Sequence, residues 1–104
     1  MRLLLTLTFC LLPYLVSANQ LEDLYKINEL QTSLQTDSII KSIELTSQIK
    51  DNDLRSIWAI NVLIKTLDKD DLALSFQTIE LVTNQDLKSI WAVNILMKAL
   101  ANDD

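Results

Sequence analysis

Apolar residues recur along most of this chain at the spacing of one helix face, and the pattern predicts five helices. In the fourth segment, Leu72, Phe76 and Ile79 fall on one face together with Leu81 and Val82. The predicted helices cover residues 20–34, 37–50, 53–67, 70–83 and 86–101. Each link between them contains Asn or Asp, which cap helix N-termini and tolerate the left-handed conformation.

The predicted helices belong to a repeat of 33 residues. Segments 53–67 and 86–100 are identical at ten of 15 positions, including Trp58 with Trp91 and Asn61 with Asn94. Segment 20–34 matches 53–67 at five of 15 positions and is a degenerate first copy. We therefore divide the chain into copies at residues 20–52, 53–85 and 86–104, the last of them truncated.

The repeat predicts an all-α fold in which antiparallel helical hairpins stack as a short, tetratricopeptide-like α-solenoid. The alternative is a closed five-helix bundle. The period is close to those of tetratricopeptide and ankyrin units, but their signature residues are missing, so the period alone does not identify a family. The helical prediction is strengthened by composition, because residues 19–104 contain neither Gly nor Pro.

The first 18 residues have the pattern of a cleaved secretory signal peptide. Arg2 precedes an apolar stretch over residues 3–16, and Val16, Ser17 and Ala18 form a small-residue cleavage site. This stretch of 14 residues, interrupted by threonines and Pro13, is too short for a stable membrane anchor, because a helix of that length spans about 21 Å of a core of roughly 30 Å. We expect an exported protein, periplasmic or secreted, with one helical-repeat domain at residues 19–104.

The remaining composition narrows the functional classes. Without Arg2 the formal charge falls from −5 to −6, and an acidic chain with no basic cluster is a poor nucleic-acid binder. Removal of Cys10 leaves no cysteine or histidine, so we expect no disulfide, enzyme activity, cofactor or metal site. We attribute Asp68, Asp70 and Asp71 to helix capping, because they lack the spacing of a calcium loop.

A polar and aromatic stripe on the repeated helix is the first candidate binding surface. On a helical wheel, Ile57, Ile60, Leu63, Ile64 and Leu67 fill the predicted core face, and the stripe lies opposite them. Its residues are Tyr25, Asn28, Trp58, Asn61, Lys65, Trp91, Asn94 and Lys98. The stripe forms either a recognition surface or a seam in which Trp packs between repeats, Asn bonds an inter-helix backbone group and Lys is solvated.

The last predicted helix carries a second candidate surface. Ala92, Ile95, Leu96 and Ala99 point away from the predicted core face, and no sixth helix is predicted after them. Bundle closure, a second copy of the chain or a partner would have to cover this face. We expect self-association or partner binding there.

The leading functional hypothesis is a non-enzymatic interaction module that binds another envelope or secreted protein. An inhibitor or immunity protein that neutralises a secreted enzyme or toxin is the second hypothesis. A carrier of a small hydrophobic ligand is the third.

Overall fold

A computed structural model describes residues 18–102 as five α-helices, without strands in that range. The helices are α1 (Ala18–Gln35), α2 (Ile39–Ser47), α3 (Asn52–Asp68), α4 (Leu72–Ile79) and α5 (Gln85–Asn102). The predicted all-α class with five helices is confirmed. The predicted signal peptide lies outside the described residues apart from Ala18, the first residue of α1.

Helices α2 and α4 begin two residues later than the apolar pattern predicts, because the chain turns at an aspartate just before each of them. Asp37 and Asp70 have positive φ angles of 58° and 57°. The next amides, of Ser38 and Asp71, donate across the turn to the carbonyls of Ser33 and Thr66 at 2.8 and 2.9 Å. This six-residue closure normally uses Gly, and Asp supplies the left-handed residue in a chain that has no Gly.

Three of the helices begin with a side-chain cap. The carboxylates of Asp51 and Asp71 accept the amide protons of Leu54 and Leu74, at 3.0 and 3.1 Å. The side-chain oxygen of Asn84 does the same for Leu87 at 3.0 Å. These bonds satisfy donors that a helix leaves unpaired at its first turn, so the links are short and well defined.

Helices pack with the neighbours that follow them in the chain. The packed pairs are α1 with α2 and α3, α3 with α2, α4 and α5, and α4 with α5. A pair of α1 with α5, the first and last helices, is not among them. The order of contacts is that of hairpins stacked in one direction, with α1, α3 and α5 side by side.

Two apolar clusters form the core, one between each pair of successive repeats. The first includes Leu30, Ile43 and Val62, and the second includes Leu63 and Ile95. Helix α3 contributes to both clusters, so it is buried on two sides rather than one.

The predicted core face of α3 is therefore partly wrong. Leu63 is fully buried and Ile60 and Leu67 are half-buried, but Ile57 and Ile64 are exposed. The buried positions instead include Ser56, Ala59, Val62 and Thr66. These side chains are smaller than the isoleucines assigned to the core.

Buried hydroxyls are accommodated by hydrogen bonds that repeat at the same offset. The Ser33 hydroxyl meets that of Ser42 at 2.6 Å, and the Ser75 hydroxyl donates to that of Thr66 at 2.8 Å. Because no buried side-chain nitrogen or oxygen in the described part lacks a hydrogen-bond partner, polar groups enter the core at little cost.

Candidate interaction surfaces

Two of the three aromatic residues of the predicted stripe pack against the apolar core, and the third is exposed. Trp58 and Trp91 are half-buried and pack against the first and second apolar clusters, respectively. Tyr25 occupies the same repeat position in α1 and is exposed. In the described part of the chain no repeat precedes α1, so Tyr25 has no core against which to pack.

The lysines of the stripe connect one repeat to the previous one. Lys65 Nζ lies 3.2 Å from the carboxylate of Asp37, and Lys98 Nζ lies 3.1 Å from that of Asp70. Both pairs join a long helix to the left-handed turn 28 residues earlier. The interpretation of Lys65 and Lys98 as simply solvated is therefore wrong.

These ion pairs lower the carboxyl pKa values. Hydrogen bonding and charge from Lys65, with Lys69 adding charge, hold the pKa of Asp37 below its ordinary value of 3.8. Hydrogen bonds from Lys98 and then Asn102 likewise lower the pKa of Asp70. All these groups remain partly exposed to solvent, so the pairs help to define the geometry of the stack more than they stabilise it.

The asparagines of the stripe face solvent. Asn28, Asn61 and Asn94 are exposed. The Nδ2 atoms of Asn61 and Asn94 donate to the carbonyls of Ile57 and Ile90 at 3.1 and 3.0 Å, within their own helices. The proposed bond from these amides to an inter-helix backbone group is not formed, and each side-chain oxygen remains available as an acceptor.

Exposed aliphatic residues lie next to these asparagines on all three long helices. Leu24, Ile57 and Ile90 occupy one repeat position and are 54%, 51% and 56% exposed. Ile64 and Met97 occupy a second position, one helical turn beyond the asparagines, and are also exposed. We call the whole set the exposed ladder: Leu24, Asn28, Ile57, Asn61, Ile64, Ile90, Asn94 and Met97.

The aliphatic members of the ladder were missed as site residues because their hydrophobicity assigned them to the core. The sequence does contain a signal for them, because Asn61 lies on the same helix face as Ile57 and Ile64. Residues i, i+4 and i+7 lie on one helix face, so a core assignment for both isoleucines would also have buried the asparagine. An apolar hollow lined by Leu21, Leu24, Tyr25 and Asn28 lies at the α1 end of the ladder.

The exposed face of α5 is rotated about the helix axis relative to the predicted self-association face. Ile95 is fully buried in the second cluster, so its assignment to the self-association face is wrong. Ala92 and Ala99 are half-buried, and Leu96 is 54% exposed. The residues most open to solvent on this side are Ser89, Val93, Leu96 and Leu100, which we call the C-terminal end face.

One repeat position shows how successive copies are joined. The buried carboxylate of Asp23 accepts the backbone amides of Lys50 and Asp51 at 2.8 and 2.9 Å. At the next copy, the hydroxyl of Ser56 accepts the amide of Thr83 at 2.9 Å. The third copy places Ser89 at this position, where it is exposed. The outer side of α5 thus retains the position that receives a link in the two preceding copies.

The described residues contain no group of three acidic, histidine or cysteine side chains placed to hold a metal ion. No helix within residues 18–102 has the length and hydropathy required to cross a membrane.

No protein family matches this chain, and no curated protein or solved structure shows significant similarity to it.

Proposed function

We propose that this protein is an exported, non-enzymatic interaction module that binds another envelope or secreted protein through the exposed ladder. The observation that carries the proposal is the threefold recurrence of an exposed aliphatic residue followed by an exposed Asn, at Leu24, Ile57 and Ile90. Helices packed side by side are separated by about 8–10 Å, so these residues form rows across the stack rather than isolated apolar spots.

The ladder suits binding better than the complete polar and aromatic stripe does. Trp58, Trp91, Lys65 and Lys98 already contact other parts of the same chain. A partner that used them would have to replace existing contacts. The ladder side chains are exposed, so their burial by a partner would add apolar contact without that loss.

The chemistry of the ladder favours a partner segment that is apolar but has hydrogen-bonding groups along its middle. The aliphatic residues supply hydrophobic contact on one side of the asparagine row in all three long helices and on the other side in α3 and α5. The asparagine oxygens can accept amide protons from the partner. None of the eight ladder residues is charged, so we expect binding to depend weakly on salt.

The test is affinity capture from the exported fraction of the producing cell, with the mature chain, residues 19–104, as bait. The double substitution Ile57→Glu and Ile90→Glu places charge on one aliphatic row, and we expect it to abolish capture of the specific partner. The matched control is Ile40→Glu, which alters an exposed isoleucine on α2 outside the ladder.

Circular dichroism and thermal unfolding should show that both proteins fold. Equal capture by the ladder variant and the control would contradict binding through the ladder. Recovery of no specific partner by the wild-type chain would contradict the proposed function itself.

A further inference from the structure

We propose that two copies of this chain pair through their C-terminal end faces, with the α5 helices antiparallel about a two-fold axis. The inference goes beyond the proposed function, because it uses a different side of α5 from the exposed ladder. It starts from a leucine that all three copies share. Leu30 and Leu63 are fully buried, whereas Leu96 at the same position is 54% exposed.

The inner copies show what kind of element this face receives. Leu63 lies in a cluster with Ile79 and Val82, which belong to α4 and the turn after it. The three-residue link between α3 and α4 makes the two helices an antiparallel hairpin. The corresponding face of α5 is therefore shaped for an antiparallel helix. A second α5 related by a perpendicular two-fold axis has that direction.

The residues of α5 are self-complementary in this arrangement. The two-fold axis keeps Val93 and Leu100 on one side of the contact in both copies, so with Leu96 at the centre Val93 of one copy lies against Leu100 of the other. Ala92 lies against Ala99 on the opposite side, so apolar side chains meet apolar side chains across the whole contact. A two-fold contact uses the same residues on both copies and closes after two, so it forms a dimer rather than a fibre.

Charge is compatible with this pairing. The two lysines nearest the C-terminal end face are engaged within their own chain, Lys98 with Asp70 at 3.1 Å and Lys88 with Glu80 at 3.4 Å. Val93, Leu96 and Leu100 are apolar, so no carboxylate or ammonium has to be buried at the centre.

The α1 end of a second copy is a poor alternative partner for the C-terminal end face. There Glu29 occupies the position at which Val62 and Ile95 are fully buried in the later copies. A head-to-tail contact would bury this exposed carboxylate against leucines, whereas α5 against α5 avoids that cost. A single pair of helices gives an interface toward the small end of the usual range, so the dimer should be reversible and dependent on concentration.

The test is sedimentation velocity of the mature chain from low micromolar to high micromolar concentration. We expect the wild-type chain to shift from monomer to dimer over this range. Leu96→Lys should remain monomeric because the two-fold axis brings the two ammonium groups together, and Leu100→Lys should weaken the dimer as a second variant. Both residues are exposed in the single chain, so circular dichroism should show unchanged helix content.

The matched control is Met97→Lys, which places the same charge one residue away, on the exposed ladder, and should leave the dimer intact. A wild-type chain that stays monomeric at the highest concentration would overturn the proposal. So would a dimer that Leu96→Lys and Leu100→Lys leave unchanged, or a stable trimer or larger species. The proposed function is tested separately, because Ile57→Glu should leave dimerisation unchanged.

Discussion

The two ends of this helical stack expose different kinds of residue at positions that are buried in the interior of the stack. At the α1 end, Glu29 replaces the residue that is Val62 or Ile95 in later copies, and it is exposed. At the α5 end, Leu96 keeps the residue that is fully buried as Leu30 and Leu63. Solenoids remain soluble when their terminal repeats turn a polar side to water. The α1 end has acquired such a residue, and the α5 end retains an apolar face suited to a contact.

The largest difference in the cost of a substitution, measured as unfolding free energy, should appear at the leucine that the inner and outer copies share. Leu63→Ala leaves a cavity in the second cluster, and we expect it to lower the free energy of unfolding by about 2–5 kcal/mol. Leu96→Ala removes exposed atoms and should change the unfolding free energy of the monomer by less than about 0.5 kcal/mol. Urea denaturation at low protein concentration measures both. Similar costs for the two variants would contradict the assignment of Leu96 to an open face.

Residues 23, 56 and 89 occupy the repeat position that joins successive copies. Alanine substitutions at these three residues should have progressively smaller costs in stability. Asp23→Ala leaves the amides of Lys50 and Asp51 without their carboxylate, at a cost of about 2–3 kcal/mol. Ser56→Ala loses two neutral hydrogen bonds to the link, from the amide of Thr83 and with its hydroxyl, at a cost of about 1–2 kcal/mol.

Ser89→Ala, at the exposed end of this series, should have almost no effect on the monomer. The same urea titrations give the order of the three costs. A cost at Ser89 equal to that at Ser56 would mean that the outer side of α5 is already covered in the single chain.

The polar end can be converted into a second apolar end. We expect Glu29→Val to create association through α1 when it is combined with Leu96→Lys, because the new valine joins exposed Leu21 and Tyr25. Sedimentation velocity should show the double variant self-associating while Leu96→Lys alone does not. Glu44→Val in the same background is the control, since Glu44 is an exposed carboxylate on α2. Equal behaviour of the two double variants would assign no protective role to Glu29.

The smallest effect concerns the ion pairs that recur along the stack. The lysine partners lower the carboxyl pKa values of Asp37 and Asp70, so the pairs stabilise the fold above the ordinary value of 3.8. This contribution should disappear as pH falls below 3.8 through the lowered values, where the folded state must also take up the protons. Asp37→Asn with Asp70→Asn removes the charge and keeps a residue that tolerates positive φ.

The double variant should therefore be slightly less stable than the wild type near neutral pH, and the gap should close below pH 3.8. Unfolding free energies across this range measure the gap, and added salt should also narrow it. Glu44→Gln serves as the control for loss of one surface charge. A gap that widens on acidification would contradict the assigned direction of the pKa shifts.

The number of helices and their order along the chain could be predicted because the apolar spacing and the 33-residue repeat agree everywhere. The orientation of each helix could not. A helical wheel assigns one buried side, but α3 lies between two repeats and is buried on two sides. Ser56 and Thr66 are buried because they find hydrogen bonds, and Ile57 is exposed despite its hydrophobicity.

The proposed binding surface was partly predictable for the same reason. The sequence shows the asparagines of the stripe as recurrent residues on one side of the helix, and the structure places them in solvent. The roles of Lys65 and Trp58 depend on how one repeat sits against the previous one, which spacing within a single helix does not determine. The aspartates at positive φ also have no distinct pattern, because Asp is common both in caps and in left-handed turns.

The measurement that most directly tests the difference between inner and outer copies is the rate of thiol labelling at the shared leucine. Residues 19–104 contain no cysteine, so Leu63→Cys and Leu96→Cys each introduce a single thiol. At low protein concentration, the thiol at position 96 should react almost as fast as a free thiol, and the one at 63 should react only after the structure opens. Raising the concentration should slow labelling at position 96 as the dimer forms. Equal protection of both thiols in dilute solution would contradict the account.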